Sequence, residues 1–141
     1  MTIWKRKTDI ESLRDLYKEN HMGTFLGIEI TEIGDDFLRG KMPVNERTRQ
    51  PYGIMHGGAS CVLAETLGSV GALLCVELDQ YTVGLDINMN HIRSISSGFV
   101  IGTAKPFHLG SSTQVWGINI TNEDDKLISV SRLTVAVLKA K

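Results

Sequence analysis

What the chain has little of narrows it first. Only two cysteines occur among 141 residues, Cys61 and Cys75, and both lie inside one apolar stretch. That excludes a disulfide-stapled scaffold and leads us to expect reduced, structural thiols in a cytoplasmic protein. Charge of one sign is also missing. Lys+Arg number 15 and Asp+Glu 16, leaving a formal net charge of -1, and no like-charge block exceeds three residues. Neither nucleic acid nor an anionic membrane is expected as a partner. The patterns HExxH, CxxC, G-x-G-x-x-G, the P-loop lysine and G-x-S-x-G are absent. His21, His56, His91 and His108 have no metal-ligand spacing. Zinc chemistry, a nucleotide fold and an elbow-type serine hydrolase therefore lack their signatures.

Long hydrophobic runs are scarce too. The one candidate is Gly57–Val76, twenty residues with a single charge, Glu65. Length alone allows a membrane crossing. However, eight of the twenty are Gly, Ser, Thr or Glu, and the flanks carry no basic bias. The segment reads better as a fully buried core helix, about Gly58 to Val76. Residues 1–20 carry nine charged side chains, so no signal-peptide h-region fits there. A chain of 141 residues with 42% AVILMFWYC is expected to form one domain, residues 1–141, burying about two-thirds of its unfolded surface.

What is there is patterned. Thr8 with Glu11 suggests a capping box opening a helix over about residues 8 to 19, with Ile10, Leu13, Leu16 and Tyr17 on one face. Gly27–Ile33 and Phe37–Val44 alternate around the turn Gly34-Asp35-Asp36, which predicts a hairpin. A polar loop, Asn45 to Gly53, leads to His56-Gly57-Gly58 and the buried helix. Beyond it the period is two. Val83, Leu85, Ile87 and Met89 alternate with polar residues, followed by strands over Phe99–Phe107, Thr113–Thr121 and Lys126–Leu138. Consecutive strands with short connections imply antiparallel pairing and an α+β fold. A helix apolar nearly all round needs cover on every side, so a sheet of about six strands should curl around it. Its open edges then make a homo-oligomer the physical expectation.

Glu65 is the sharpest anomaly, a carboxylate mid-helix between Leu63-Ala64 and Leu67. An isolated buried carboxylate costs several kcal/mol unless paired. An ordinary reading is a helix face turned to solvent or a structural ion pair. The functional reading is a base or nucleophile in a water-poor cleft, with small neighbours Cys61, Gly68 and Ser69 leaving room for a ligand. His56-Gly57-Gly58 opens the same helix. Its exposed backbone N–H groups lie at the positive end of the helix dipole and can polarise a carbonyl. A plain turn is the ordinary alternative. His91 ends the alternating strand on its apolar phase, where a histidine alone is more often packed than catalytic.

Gln50-Pro51-Tyr52-Gly53-Ile54-Met55-His56-Gly57-Gly58-Ala59, followed by Leu63-Ala64-Glu65-Thr66-Leu67-Gly68-Ser69, resembles the hotdog-fold acyl-CoA thioesterases. The similarity is to their aryl-CoA branch, with 4-hydroxybenzoyl-CoA and 1,4-dihydroxy-2-naphthoyl-CoA thioesterases. It extends over nearly the whole chain, through Ile3-Trp4-Lys5-Arg6-Lys7, Met42-Pro43-Val44, Val83-Gly84-Leu85-Asp86-Ile87-Asn88 and Lys105-Pro106-Phe107-His108-Leu109-Gly110. The resemblance implies a long central helix wrapped by a curved antiparallel sheet. It implies Glu65 as the catalytic carboxylate and Gly57 as the amide on the thioester carbonyl. Gln50 and His56 would orient the thioester, and Ser69 with His91 would place the attacking water. Gly58, Gly68, Val70, His108 and Gly110 are implied substrate contacts, and the guanidinium fork of Arg93 is this chain's own candidate contact for CoA phosphate. The resemblance further implies no metal or redox cofactor, a place in menaquinone biosynthesis, and a homodimer or homotetramer with active sites shared between subunits. One departure stands out. Many relatives place an Arg after the His-Leu-Gly, where this chain has Ser111-Ser112. The readings from other classes are a non-catalytic acyl-CoA-binding hotdog module, a dehydratase-type hotdog enzyme and a thioesterase acting on carrier-protein-bound aryl groups. A pure binder has no reason to keep Glu65.

Overall fold

The long apolar segment forms the middle of the structure, a computed structural model that describes residues 1–16 and 18–141. Two short helices, α1 (Ile10–Leu16) and α2 (Met22–Leu26), precede the hairpin β1 (Glu29–Ile33) and β2 (Leu38–Pro43). The long helix α3 (Gly57–Leu74) follows, then β3 (Gln80–His91), β4 (Phe99–Leu109), β5 (Thr113–Asn122) and β6 (Leu127–Lys139). All pairings are antiparallel in the order β1-β2-β4-β5-β6-β3. This is the expected six-stranded α+β architecture.

Packing explains the seat of α3. Gly40 of β2 and Gly102 of β4 are cross-strand partners. A Cβ on either would lie 2.7 Å from a Leu67 methyl, so the glycine pair forms the hole that Leu67 fills. Leu63, Ala64 and Leu67 are wholly buried in this row, and burying one such leucine stabilises by about 1.5–3 kcal/mol. Further along, buried Trp116 donates from Nε1 to Gln114 Oε1 at 2.8 Å, and Gln114 Nε2 donates to Ala72 O at 3.4 Å. Trp4 stacks on Trp116 with centroids 6.3 Å apart. The N-terminal segment then ties off the helix. Lys5 and Arg6 N–H groups both donate to Leu74 O, and the Arg6 guanidinium donates to the carbonyls of Val76, Glu77 and Gln80.

Four expectations need correction. The first helix is shorter than 8–19, and its N-terminal carboxylate is Asp9, whose Oδ1 accepts from Ser12 N at 2.7 Å, in place of the Thr8–Glu11 box. Those hydrogen bonds hold the Asp9 carboxyl below its ordinary pKa. Tyr17, placed on that helix face, lies outside the described residues.

The second correction concerns α3, which is covered on one side only. The sheet packs against Ala59, Ser60, Leu63, Ala64, Leu67, Gly68, Gly71, Ala72 and Leu74, while Glu65 and Leu73 are exposed. A single twisted sheet presents one concave face, so it shields about half of a helix and no more. Third, β3 does not keep one apolar face. Its register against β6 shifts between Gly84 and Asp86. Leu85 is thus the extra residue of a bulge, which reverses the side-chain phase. Ile87, Met89 and His91 pair with Leu133, Ser131 and Ser129 on the helix side. Val83 and Leu85, from the same sequence alternation, are 42% and 61% exposed. Fourth, Gly68 leaves no room for a ligand beside Glu65. It is buried, and a Cβ on it would lie 2.6 Å from a Leu133 methyl. The small residue at 68 serves the sheet contact.

Both cysteines are free thiols. Burial pushes the Cys75 thiol up to about 11, against a weaker lowering by Lys5. At pH 8 that leaves roughly a hundredfold less thiolate than an ordinary cysteine. Cys75 should therefore react with a disulfide reagent only after denaturant is added, while half-buried Cys61 reacts first. The folded state holds the Cys75 proton more tightly than the unfolded chain does. Its contribution to stability is present below pH 9 and is lost as pH rises towards 11.

Candidate active site

His56 sets the start of α3. Its backbone is extended, and its Nδ1 accepts from Gly58 N at 2.8 Å. An accepting Nδ1 fixes the neutral ring with its proton on Nε2. His56 N donates to Thr48 O at 2.7 Å, which anchors the cap to the preceding loop. Ala59 and Ser60 N–H groups turn back to His56 O. Gly57 N–H is thereby left at the positive helix end with no acceptor among the described residues.

One row of α3 runs along the inner face of β3. A Cβ on Gly57 would lie 2.7 Å from His91 Nε2, and Cys61 Sγ is 3.7 Å from Met89 Sδ. A Cβ on Gly84 would lie 3.0 Å from Glu65 Oε1. Positions 57, 61 and 65 are one helical turn apart, and their β3 neighbours are spaced to match only because of the Leu85 bulge. Only glycine at 57 lets the imidazole approach the helix so closely. The charge on Glu65, after burial, adds to the upward shift of the Cys61 thiol.

Two clefts open on this frame. The first, about 280 Å³, gathers Gln50, Gly57, Ser60, His91, Arg93 and Ile128 with their neighbours. Gln50 Oε1 accepts from Tyr52 N, which shapes the loop and leaves its Nε2 hydrogens as donors. Ile92 and Arg93 N–H groups both donate to Ile128 O, holding the end of β3 in place. Arg93 has no carboxylate partner among the described residues. The second cleft, about 440 Å³, gathers Glu65, Thr66 and Ser69 with Val62, His21, Met22 and Gly23.

The structure therefore brings Gln50, Gly57, His91 and Arg93 together, and separately Glu65 with Ser69. His56 and Gly58 flank the first group, and Val70 lies on a neighbouring groove with Leu13, Leu16 and Leu73. His108 and Gly110 join neither cleft. His108 lies near the last residue of β4, Leu109, and Gly110 just past it, about 30 Å of extended chain from the strand's start at Phe99. Among the described residues, no group of three His, Cys, Asp or Glu side chains stands ready to hold a metal ion.

Hydrophobic periodicity misses His21, Met22 and Gly23. Met22 and Gly23 belong to a five-residue helix too short to carry a period, and His21 is its N-cap. Its one sequence mark is Gly27, left-handed at φ 77, whose N–H closes onto the Gly23 and Thr24 carbonyls. Ser129 is missed as well. It is wholly buried, it faces α3 opposite His91, and its Oγ has no hydrogen-bond partner among the described residues. A buried hydroxyl left so costs about 1–3 kcal/mol.

Known proteins resemble this chain over nearly its whole length. The thioesterase superfamily signature matches residues 52–129, from the loop before α3 into β6. The 1,4-dihydroxy-2-naphthoyl-CoA hydrolase of Escherichia coli is 53% identical over 136 residues, 96% of this chain and 99% of its own length. The proofreading thioesterase EntH of Cronobacter turicensis is 45% identical, over 96% of this chain and 98% of its own. A crystal structure of a Haemophilus influenzae thioesterase superposes with a TM-score of 0.95 at 46% identity, covering 98% of this chain and 96% of that one. The chain has the hotdog fold, belongs to the thioesterase superfamily and is a thioester hydrolase.

Proposed function

We propose that this protein hydrolyses aromatic acyl thioesters of CoA, of the 1,4-dihydroxy-2-naphthoyl or hydroxybenzoyl type, to the free acid and CoA. One observation carries the reading to a mechanism. Gly57 N–H and the Glu65 carboxylate are eight residues apart on one helix, about 12 Å along its axis. A thioester carbonyl must lie near 3 Å from both a polarising donor and its attacking group. One chain cannot meet that demand. A second copy can, by laying its Glu65 and Ser69 against the first copy's Gln50, Gly57 and His91.

The rest of the surface supports that arrangement. Strand β3 is an edge, hydrogen-bonded on the β6 side only and twelve residues long, and such an edge invites a second strand. The uncovered face of α3 carries Val62, Thr66, Ser69, Val70 and Leu73, with Glu65 as its one charge. In the assembled site, Gly57 N–H binds the carbonyl oxygen as negative charge develops there. Gln50 and His56 orient the thioester, and His91 with Ser69 places the water. Glu65 either removes a proton from that water or attacks the carbonyl carbon itself, giving a mixed anhydride that water then opens. In both routes the C–S bond breaks, the thiol leaves with a proton, and Glu65 ends as it began. Arg93 is free to meet a CoA phosphate as a guanidinium fork. The unit is a homodimer or homotetramer of one catalytic domain, acting in the cytoplasm and in menaquinone biosynthesis.

Beside Glu65 the α3 side of the cleft carries Val62, Thr66 and Ser69, none larger than valine, and His21, Met22 and Gly23 face them. A rigid ring also loses less rotamer entropy on entering than a long acyl chain does. We expect kcat/KM for benzoyl-type or naphthoyl-type CoA to exceed that for palmitoyl-CoA at least about tenfold, roughly 1.4 kcal/mol in transition-state binding. A palmitoyl preference overturns the aromatic assignment. The EntH relatives and Ser111-Ser112, in place of an Arg, favour one other reading, hydrolysis of aryl groups carried on a protein-bound pantetheine arm. Measuring one aryl group on both carriers separates them. Equal or faster turnover on the carrier protein replaces CoA while leaving the thioesterase chemistry intact.

A further inference from the structure

Ser129 is a polar residue with no structural reason to be polar. On the helix-facing side of β6 its nearest neighbour, Ser131, spends its hydroxyl on Ile118 O at 3.1 Å, and Leu133 and Val135 beyond it are apolar and buried. Ser129 itself is wholly buried, and its Oγ meets no partner among the described residues. An alanine would fill the space without leaving a hydroxyl unsatisfied. The cross-strand partner of Ser129 is His91. Directly opposite residues on one face of an antiparallel pair have Cβ atoms about 4.5–5.5 Å apart, so one χ1 change brings a serine Oγ within hydrogen-bond reach of a facing imidazole.

The ring itself says which nitrogen is available. Atoms Nε2 and Cε1 of His91 are the ones nearest Gly57, at 2.7 and 2.8 Å from the position of its absent Cβ. Nδ1 therefore lies on the backbone side of the ring. Strand β6 already fixes the neighbouring backbone through Ile128 O, which accepts from Ile92 and Arg93 N–H.

We infer that Ser129 is the positioning residue for His91. Its hydroxyl donates to Nδ1, directly or through one ordered water, so that the ring presents its Nε2–H to the cleft at Gly57. This rests on the role given to His91 above. The buried hydroxyl is then retained for orientation, since a histidine with one nitrogen committed offers one defined proton at the other. The other titratable groups around the ring are Arg93 on the following loop, His56 at the start of α3 and Glu65 two turns along it.

The test uses the full-length protein, with aryl-CoA hydrolysis, thermal melts and nitrogen-15 NMR of the histidine rings. Ser129→Ala should keep or raise Tm and leave KM unchanged, yet lower kcat about tenfold. The His91 ring signals should move towards a mixture of tautomers. Ser129→Thr, which keeps the hydroxyl, should restore the ring signals. In a His91→Ala background, Ser129→Ala should cost nothing further. Should Ser129→Ala fail to fold, Ser129→Cys keeps the volume, weakens the donor and moves the ring signals the same way. Unchanged ring signals in a folded variant overturn the inference, as does a fall in kcat that persists without His91. Full turnover by His91→Ala would instead remove the role of His91 in the proposed site, and the ring signals would still decide whether Ser129 orients it.

Discussion

Replacing Glu65 by Gln is expected to lower kcat at least about a hundredfold while leaving Tm nearly unchanged. Glutamine keeps the size and the polar end but can neither take a proton from water nor attack a carbonyl as a carboxylate. The expectation of intact folding comes from the structure. Glu65 is exposed on the chain and forms no ion pair or hydrogen bond among the described residues, so no partner is orphaned by the change. The contact with Gly84 accepts an amide oxygen as readily as a carboxylate oxygen. Turnover by the purified variant within a few-fold of the parent would remove Glu65 from the chemistry. A variant that does not fold would assign the carboxylate a structural role.

The second large effect is a recovery. Glu65→Gln and His91→Ala should each be nearly inactive alone, yet a refolded equimolar mixture should regain about a quarter of the parent activity. The fraction follows from twofold symmetry, where half of randomly assorted dimers are mixed and one of the two interfaces in each holds both intact residues. His91 is exposed and strand-terminal, so its truncation should leave the chain folded. A site complete within one chain predicts no recovery. Sedimentation of the mixture at micromolar concentration checks that dimers have formed, and an active monomer would refute the shared site outright.

Much of this was legible in the residues, for physical reasons that also mark where legibility stops. The strands after α3 were readable because a half-buried strand must alternate, and α3 because eighteen residues with one charge have few other fates. What failed was geometry that needs a third dimension. The alternation Val83, Leu85, Ile87, Met89 is regular in sequence, yet the bulge at Leu85 splits it between two faces. Gly68 and Ser69 are adjacent, yet one packs on Leu133 while the other lines a cleft, because 100° of helical rotation separates them. Glu65 drew attention as a charge in an apolar run. The same run could not say that half of α3 would be bare within the chain. Ser129 left no trace in sequence, since a serine in a strand is unremarkable until its hydroxyl is found to have no partner.

The place of β3 in the sheet has a consequence for how the molecule comes to exist. It is the first strand after α3 but pairs only with β6, the last. While the chain is being made, residues 80–91 emerge long before residues 127–139. At about 5–20 residues per second, β3 waits several seconds with both edges open and Tyr81, Val83 and Leu85 uncovered. His91 has no fixed position in that interval, and Gly57 has no ring beside it. The proposed site is therefore assembled in one late event, when β6 docks between β5 and β3. Until then the nascent chain carries its stickiest strand as an unpaired ribbon, so chaperone demand and aggregation during overexpression should be greatest for chains stalled or truncated within β5 or β6.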